Sequence, residues 1–324
     1  MDAFGRQIDY LRMSVTDRCN ERCIYCLPEG YHGWQPRAEH LTDDELVAIA
    51  QVAGQLGFRK FRLTGGEPLV RPGLPDVARR IWDLPGVETL GISTNGTRLA
   101  KLAVPLREAG VRTTNVSLDS LDAERYRRIT GGSLEAVIEG LEAAKSAGFE
   151  RIKLNCVLMR GVNEDDLWPL AQFAGSHGFP LRLIELMPLT RTEVLTDANF
   201  LPVQEARRIL EQHDRLIPAP DARLGYGPAR YFRFERGGGI VGFIGALTQE
   251  CFCDRCNKLR LTADGKLRPC LGQHLEVDLI PSLRPAIDVT RLRDLFLQTI
   301  ADKPREHLFR DVYQPERPMT AIGG

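Results

Sequence analysis

No sign of charge prevails in this chain of 324 residues, where 43 lysines and arginines face 43 aspartates and glutamates. That balance argues against a surface for nucleic acid, while leaving room for a locally basic pocket. No apolar run is long enough to span a bilayer, so no membrane partner is expected. The opening stretch MDAFGRQIDY lacks the apolar h-region of a secretory signal, and the expected location is the cytoplasm. A long internal repeat and a low-complexity linker are also missing. The most informative absence is smaller. Cys19, Cys23 and Cys26 fall within eight residues, and no fourth cysteine follows nearby.

The length suits one large α/β domain, or such a domain with a smaller companion, and 43% hydrophobic residues is ordinary for a globular chain. Eight cysteines in a reducing compartment do not predict disulfides. Three stand at 19, 23 and 26, four at 251, 253, 256 and 270, and Cys156 stands alone. Clustering toward both ends points to two metal sites.

Six segments read as strands: residues 10–16, 60–64, 89–95, 113–119, 151–157 and 181–186. Amphipathic runs between them, such as TDDELVAIAQVAGQLG and SLEAVIEGLEAAKSAG, begin at hydroxyl cap candidates (Thr42, Ser133) and end near Gly57 and Gly148. Repeated strand–helix units imply a parallel sheet with right-handed crossovers. Sheets covered on both faces carry nearly continuous apolar strands, and these do not. Arg12, Ser14 and Thr16 alternate with Leu11, Met13 and Val15; Lys60, Arg62 and Thr64 alternate with Phe61 and Leu63. Asn115, Ser117 and Asp119, then Arg151, Lys153 and Asn155, repeat the pattern. Period two puts each set on its own face. An ordinary solvated antiparallel sheet would also alternate, but the intervening helices favour parallel strands. The expected fold is therefore α/β, a partial (βα)6 TIM-like barrel over residues 1–220 whose concave polar side holds a large anionic ligand. The sixth strand breaks parity between Arg182 and Met187. Residues 221–324 are expected to form a smaller, partly antiparallel region: two hairpins, one turning at Ala-Asp-Gly, then a helix and a tail.

Thiolates spaced as C-x3-C-x2-C after a first strand can take three corners of a cubane cluster. Zinc, completed by His32 or His40, is the alternative. The later set, Cys253, Cys256 and Cys270, is again three, and Cys251 or His274 could complete a zinc site there.

The first triplet, the motif Thr64-Gly65-Gly66-Glu67-Pro68 after the second strand, and Tyr25 between the cysteines together resemble the radical S-adenosylmethionine superfamily. That resemblance implies a 4Fe–4S cluster on Cys19, Cys23 and Cys26, whose open iron seats S-adenosylmethionine and whose electron cleaves it to methionine and a 5′-deoxyadenosyl radical. FCDRCNKLRLTADGKLRPC, with LRMSVTDRCN, RLTGGEPLVR, ISTNGTRL, NVSLDSLD, IKLNCVLMRGVN, RLIELMPL and the final Gly323-Gly324, extends the resemblance nearly end to end, to the GTP 3′,8-cyclase family. In that family the radical takes hydrogen from C3′ of the GTP ribose, C3′ then attacks C8 of guanine, and 3′,8-cyclo-7,8-dihydro-GTP results as the first step of molybdenum cofactor biosynthesis.

The resemblance implies a second 4Fe–4S cluster on Cys253, Cys256 and Cys270 that binds the guanine base. Arg12, Lys60, Arg62, Ser93, Lys153, Lys258, Leu259 and Arg260 match substrate-contacting positions. Tyr25, Gly66, Ser117 and Met187 match contacts to S-adenosylmethionine, and Arg182, Gly323 and Gly324 match residues needed for activity. Ser93 stands where many members have threonine and keeps the hydroxyl. Lys258 stands where arginine is common and loses the planar fork. An electron donor, a downstream pterin-forming enzyme and a homodimer are implied in the same way. A radical enzyme acting on a peptide would carry more auxiliary cysteines than the one further set present here. An electron carrier or zinc module would have no use for a polar lumen.

Overall fold

A computed structural model describes residues 1–28, 30–32, 34, 36–222, 224–310 and 313–323, with Arg37 by its backbone alone. Gly324 lies outside the described residues.

Six strands alternate with helices: β1 (Tyr10–Ser14), α1 (Asp43–Gln55), β2 (Lys60–Thr64), α2 (Leu74–Trp82), β3 (Thr89–Thr94), α3 (Leu99–Glu108), β4 (Thr113–Ser117), α4 (Ala123–Thr130), α5 (Leu134–Ser146), β5 (Arg151–Leu158), α6 (Leu167–His177) and β6 (Leu181–Glu185). There follow α7 (Val203–Glu211), β7 (Leu216–Pro218), β8 (Arg230–Phe234), β9 (Ile240–Ile244), β10 (Lys258–Leu261), β11 (Lys266–Arg268), β12 (Val277–Asp278), α8 (Val289–Ala301) and α9 (Met319–Ile322). Both expected hydroxyl caps form. Thr42 accepts from Glu45 N while Glu45 reaches back to Thr42 N, a reciprocal capping box, and Ser133 accepts from Ala136 N.

The strands make one open sheet in the order β12-β11-β10-β1-β2-β3-β4-β5-β6-β9-β8-β7. Strands β1 to β6 are parallel neighbours in chain order. The later strands extend this same sheet at both edges. β10 joins β1 in parallel and carries antiparallel β11 and β12; β9 joins β6 in parallel and carries antiparallel β8 and β7.

Alternation assigns the faces. Leu11, Met13, Phe61, Leu63, Leu90, Ile92, Val116, Leu154, Cys156, Leu181 and Leu183 join one apolar core with the helices. Their polar neighbours turn to the other side, where residues of β1 to β6, β9 and β10 line a single chamber. A sheet whose successive strands all face one cavity is curved around it. The parity break is resolved here as well. Arg182 and Ile184 face the chamber in step, β6 ends at Glu185, and Met187 reaches the same chamber from the loop beyond. The tail is packed against the body of the protein. Thr320, Ala321 and Ile322 are buried, and Ile322 packs with Leu189, Ala246, Phe309 and Tyr313. Among the described residues no helix is long and apolar enough to cross a membrane.

The capping box is tied to the C-terminal part by Arg284, whose Nε and Nη2 donate to Glu45 at 2.6 and 3.0 Å. Burial works to raise the Glu45 carboxyl, but the bonds from Arg284 and Thr42 outweigh it and hold the group below its ordinary value. A carboxyl lowered in the fold contributes stability above its unfolded value and loses it as pH falls through the folded one. Thr42→Ala is expected to cost about 1 kcal/mol. In chemical denaturation, the deficit of Glu45→Gln relative to the parent at pH 7 should shrink as the pH is taken down through the carboxyl range.

Candidate active site

In-phase register stacks the polar residues in rows. Lys258, Tyr10, Lys60 and Thr89 stand opposite one another across β10, β1, β2 and β3. One pleat further on come Arg260, Arg12, Arg62, Gly91, Thr113 and Arg151. Ser93, Asn115 and Lys153 form the next row, then Ser117, Asn155 and Arg182. The chamber they line has a volume of about 640 Å³, within the range of sites that enclose small molecules.

The cations are crowded. Burial first, then Arg260 beside it, pushes Arg12 down to about 9. Burial also brings Arg260 and Arg182 to about 10. Guanidinium groups still keep their protons at neutral pH, so these shifts register crowding rather than loss of charge. Lys153 differs: burial, then Arg182, Arg62 and Arg151, lowers it to about 6. Arg62 donates three bonds to neutral oxygens. Its Nε donates to Tyr10 Oη (2.6 Å), Nη1 to Ile92 O (2.6 Å) and Nη2 to Thr113 Oγ1 (3.0 Å). Gly91 makes this possible, since a Cβ there would stand 2.6 Å from Arg62 Nη2.

Acidic groups collect elsewhere in the chamber, beside the first cysteine triplet. Glu67 Oε1 accepts from Leu69 N and Thr94 Oγ1, and Oε2 accepts from Asn95 N. Asp119 accepts from Tyr25 Oη (2.7 Å) and Val157 N (2.8 Å), and Glu21 from Tyr126 Oη (3.0 Å). Burial is the first cause that raises Glu21 to about 8, Glu67 to about 7 and Asp119 to about 6. Gly66 lets the Gly-Gly-Glu-Pro turn approach the cysteine loop, because a Cβ would lie 2.4 and 2.5 Å from the carbonyl oxygens of Asp17 and Arg18.

All six cysteines of the two triplets line this chamber as free thiols. Burial pushes Cys19 up to about 12, with Glu67 and Glu21 adding to it, and burial raises Cys23 and Cys26, with neighbouring thiols contributing. Burial likewise pushes Cys253 up to about 11, with Cys270 and Cys256 contributing. Buried thiols near acids become thiolates when a metal's positive charge is among them. Among the described residues no three Cys, His, Asp or Glu converge closely enough to hold a single ion. Tetrahedral zinc needs such convergence, whereas a cubane spreads thiolates over separate corners. Three of the four residues proposed to complete zinc are placed otherwise. His40 pairs with Asp17 at 3.0 Å, His274 stacks on Tyr313, and Cys251 is exposed outside the chamber. Among the described residues, Asn115 Oδ1, Asn155 Oδ1, Thr64 Oγ1 and Arg182 Nε are buried without hydrogen-bond partners, the condition of groups that a polar ligand satisfies. The residues present therefore fit iron–sulfur clusters and an anionic, polar ligand.

The radical SAM superfamily matches residues 13–174, and the family described as Molybdenum Cofactor Synthesis C matches residues 179–309. The chain is 42% identical over 325 residues to a GTP 3′,8-cyclase of Pelotomaculum thermopropionicum, covering 100% of this chain and 99% of that one. It is 41% identical over 324 residues to a GTP 3′,8-cyclase of Moorella thermoacetica, with the same two coverages.

The chain belongs to the GTP 3′,8-cyclase family.

The crystal structure of Streptococcus suis SuiB bound to S-adenosylmethionine shares the fold, with a TM-score of 0.62 at 13% identity, over 94% of this chain and 68% of that one. As a radical SAM fold, the barrel brings a 4Fe–4S cluster and S-adenosylmethionine as its cofactors.

Of the residues singled out from sequence, Arg12, Tyr25, Arg62, Gly66, Ser93, Ser117, Lys153, Arg182, Met187, Lys258 and Arg260 line the chamber with the six cysteines. Two others face differently. Lys60 donates to Asp9 Oδ2 at 2.5 Å and sits 4.0 Å from the Tyr226 ring centroid. Leu259 packs in the apolar core on the opposite face of β10. Gly323 reaches the polar face, where Arg260 Nη1 donates to its carbonyl at 2.7 Å; a Cβ on this left-handed residue would stand 3.0 Å from Ser14 Cβ. Asn115, Asp119, Arg151 and Asn155 were legible as polar-face residues by parity, and all but Arg151 lay inside quoted motifs, but none was given a role. Glu21 and Glu67 lay inside quoted motifs without a role.

The approach of the tail depends on Arg317. Its Nη2 donates to both oxygens of Asp264 at 2.9 Å and its Nη1 to Glu276 at 3.1 and 3.3 Å. Met319 N then donates to Thr190 Oγ1 at 2.9 Å. Charge-assisted bonds of this kind contribute about 1.5–3 kcal/mol each. Arg317→Ala should speed hydrogen exchange over residues 319–323 about tenfold or more, while amides of β1 to β6 exchange as before.

Proposed function

We propose that this chain is a radical S-adenosylmethionine lyase that converts GTP to (8S)-3′,8-cyclo-7,8-dihydroguanosine 5′-triphosphate, the first step of molybdenum cofactor biosynthesis. One observation carries the reading: two cysteine triplets, distant in sequence, line one chamber together with a cationic wall. Cys19, Cys23 and Cys26 would hold one 4Fe–4S cluster and Cys253, Cys256 and Cys270 a second. Each triplet leaves one cluster position for a ligand other than the protein. When bound, the first cluster and S-adenosylmethionine would supply a carbon-centred oxidant for hydrogen abstraction from the ribose of GTP.

The chain's own residues would bind, orient and seal. Tyr25, Gly66, Ser117 and Met187 surround the cofactor in this reading, beside the acidic groups that suit its sulfonium and ammonium charges. Arg12, Arg62, Lys153, Lys258 and Arg260 neutralise the triphosphate, and Ser93 offers a hydroxyl. Arg62 is preorganised by its three donations, so binding would order it little further. A contact from Leu259 would have to come from its backbone, because its side chain packs in the core, and Lys60 would reach substrate only by leaving Asp9. Arg182, Gly323 and Gly324 take the roles needed for activity, with Arg260 joining the tail to the phosphate row. Enclosure keeps water and side reactions from the reacting ribose. The reading includes an external one-electron donor, a homodimer and a downstream pterin-forming enzyme, in the reducing cytoplasm that eight unpaired cysteines suit.

Anaerobic reconstitution followed by incubation with S-adenosylmethionine, a reductant and each nucleotide in turn tests the proposal. Cyclised product is expected with GTP. Formation of 5′-deoxyadenosine equally well without GTP, and no cyclised product, would overturn it.

Lys153 adds a pH signature. Near pH 7.5 a lysine lowered to about 6 is largely neutral, and a triphosphate beside it restores the proton. GTP binding should therefore take up protons above pH 6, by an amount seen in calorimetry across buffers of different ionisation enthalpy, and Lys153→Met should abolish that part.

A further inference from the structure

The second triplet has a back wall that the reading above does not use. After α8 the segment Lys303-Pro304-Arg305-Glu306-His307 passes behind it. Lys303 is only 3% exposed. Its Nζ donates to the carbonyls of Lys258 (2.9 Å) and Pro269 (2.5 Å). Lys258 follows Cys256 by two residues, and Pro269 immediately precedes Cys270. One ammonium thus holds together the two loops that present these thiols. Among the described residues it has no carboxylate partner. Two carbonyl dipoles do not neutralise a buried charge, which leaves a net positive charge between the two thiol-bearing loops.

The rest of the wall is rigid. The His307 main chain bonds the Cys253 sulfur, while its ring is occupied between Ala246 O (2.9 Å) and Phe309 N (3.2 Å), so it is no ligand. Arg6, paired with Asp2 at 2.6 Å, donates to Cys253 O (3.1 Å), Pro304 O (2.6 Å) and Arg305 O (3.0 Å). Lys303 is thus buried and bonded to both loops.

We infer that Lys303 is a positioning residue for the second cluster, a fixed counter-charge that clamps the Cys256 and Cys270 loops and raises the reduction potential of a cluster held there. The inference rests on the two-cluster reading. A cluster gains negative charge on reduction, so a nearby ammonium favours the reduced form.

The test uses the full chain carrying Cys19→Ala, Cys23→Ala and Cys26→Ala, reconstituted anaerobically, with iron analysis and a reductive titration followed by electron paramagnetic resonance. About four irons are expected with Lys303 intact. No iron there sinks the two-cluster reading and this inference with it. Lys303→Met should keep the cluster but lower its reduced-to-oxidised ratio at fixed potential about tenfold, which for one electron is a shift of about 59 mV; Lys303→Arg should not. Iron lost in Lys303→Met and kept in Lys303→Arg also supports the role. An unshifted potential in Lys303→Met, or the same shift or iron loss in both variants, overturns it in favour of packing alone.

Discussion

Like-charge crowding on the concave face of one sheet is the constraint on which the rest depends. Register places Arg260, Arg12 and Arg62 directly opposite one another across three parallel strands. Like charges at opposed positions are unfavourable, and burial strengthens the repulsion by lowering the local dielectric. The fold tolerates this because the other face of the same strands is core. Leu11, Leu259, Phe61 and Leu63 are almost wholly buried there, so the alternation that aligns the cations also secures the sheet. A surface that costs stability in the free protein belongs to function. Only a multivalent anion relieves several of these cations together.

The acidic groups are spread unevenly through the chamber. Glu21, Glu67 and Asp119 act on the thiols of the first triplet, and burial raises all three. Glu88, Glu150 and Glu185 line the chamber as well, and Glu150 lies 3.8 Å from Arg112. The row of Arg260, Arg12, Arg62, Gly91, Thr113 and Arg151 holds four cations and no carboxylate in register. That row favours an anionic ligand before any specific contact is counted. Lys153 is the exception among the cations, because its lowered value lets it carry charge chiefly when an anion arrives.

Local pattern made much of this legible. Period two separated core from chamber on β1, β2, β4 and β5, the hydroxyl caps set the starts of α1 and α5, and cysteine spacing located both triplets. What the sequence could not display was pairing over long distances. That β10 runs parallel to β1, some 250 positions earlier in the chain, has no local signal, yet it decides that Lys258 and Arg260 share rows with Tyr10 and Arg12. The outward turn of Leu259 follows from the same pairing. Lys60 has the correct parity for the chamber, but Asp9 and Tyr226 claim it, and neither contact is visible from spacing. The Met187 parity break was visible as a break, while its cause, the strand ending at Glu185, belongs to tertiary structure.

An open barrel must protect two edges, since unpaired strand edges invite association with other chains. Here the covering strands are also functional. β10 covers the β1 edge and delivers Lys258 and Arg260, the loop before it carries Cys256, and the loop after β11 carries Cys270. α8 and the Lys303 segment then pack behind those loops, Arg317 bonds the β10–β11 turn at Asp264, and Gly323 reaches Arg260. Edge closure, presentation of the second triplet and insertion of the tail thus share the same few contacts. A chain that fails to cover this edge fails to complete the site, which couples integrity of the fold directly to competence of the chamber.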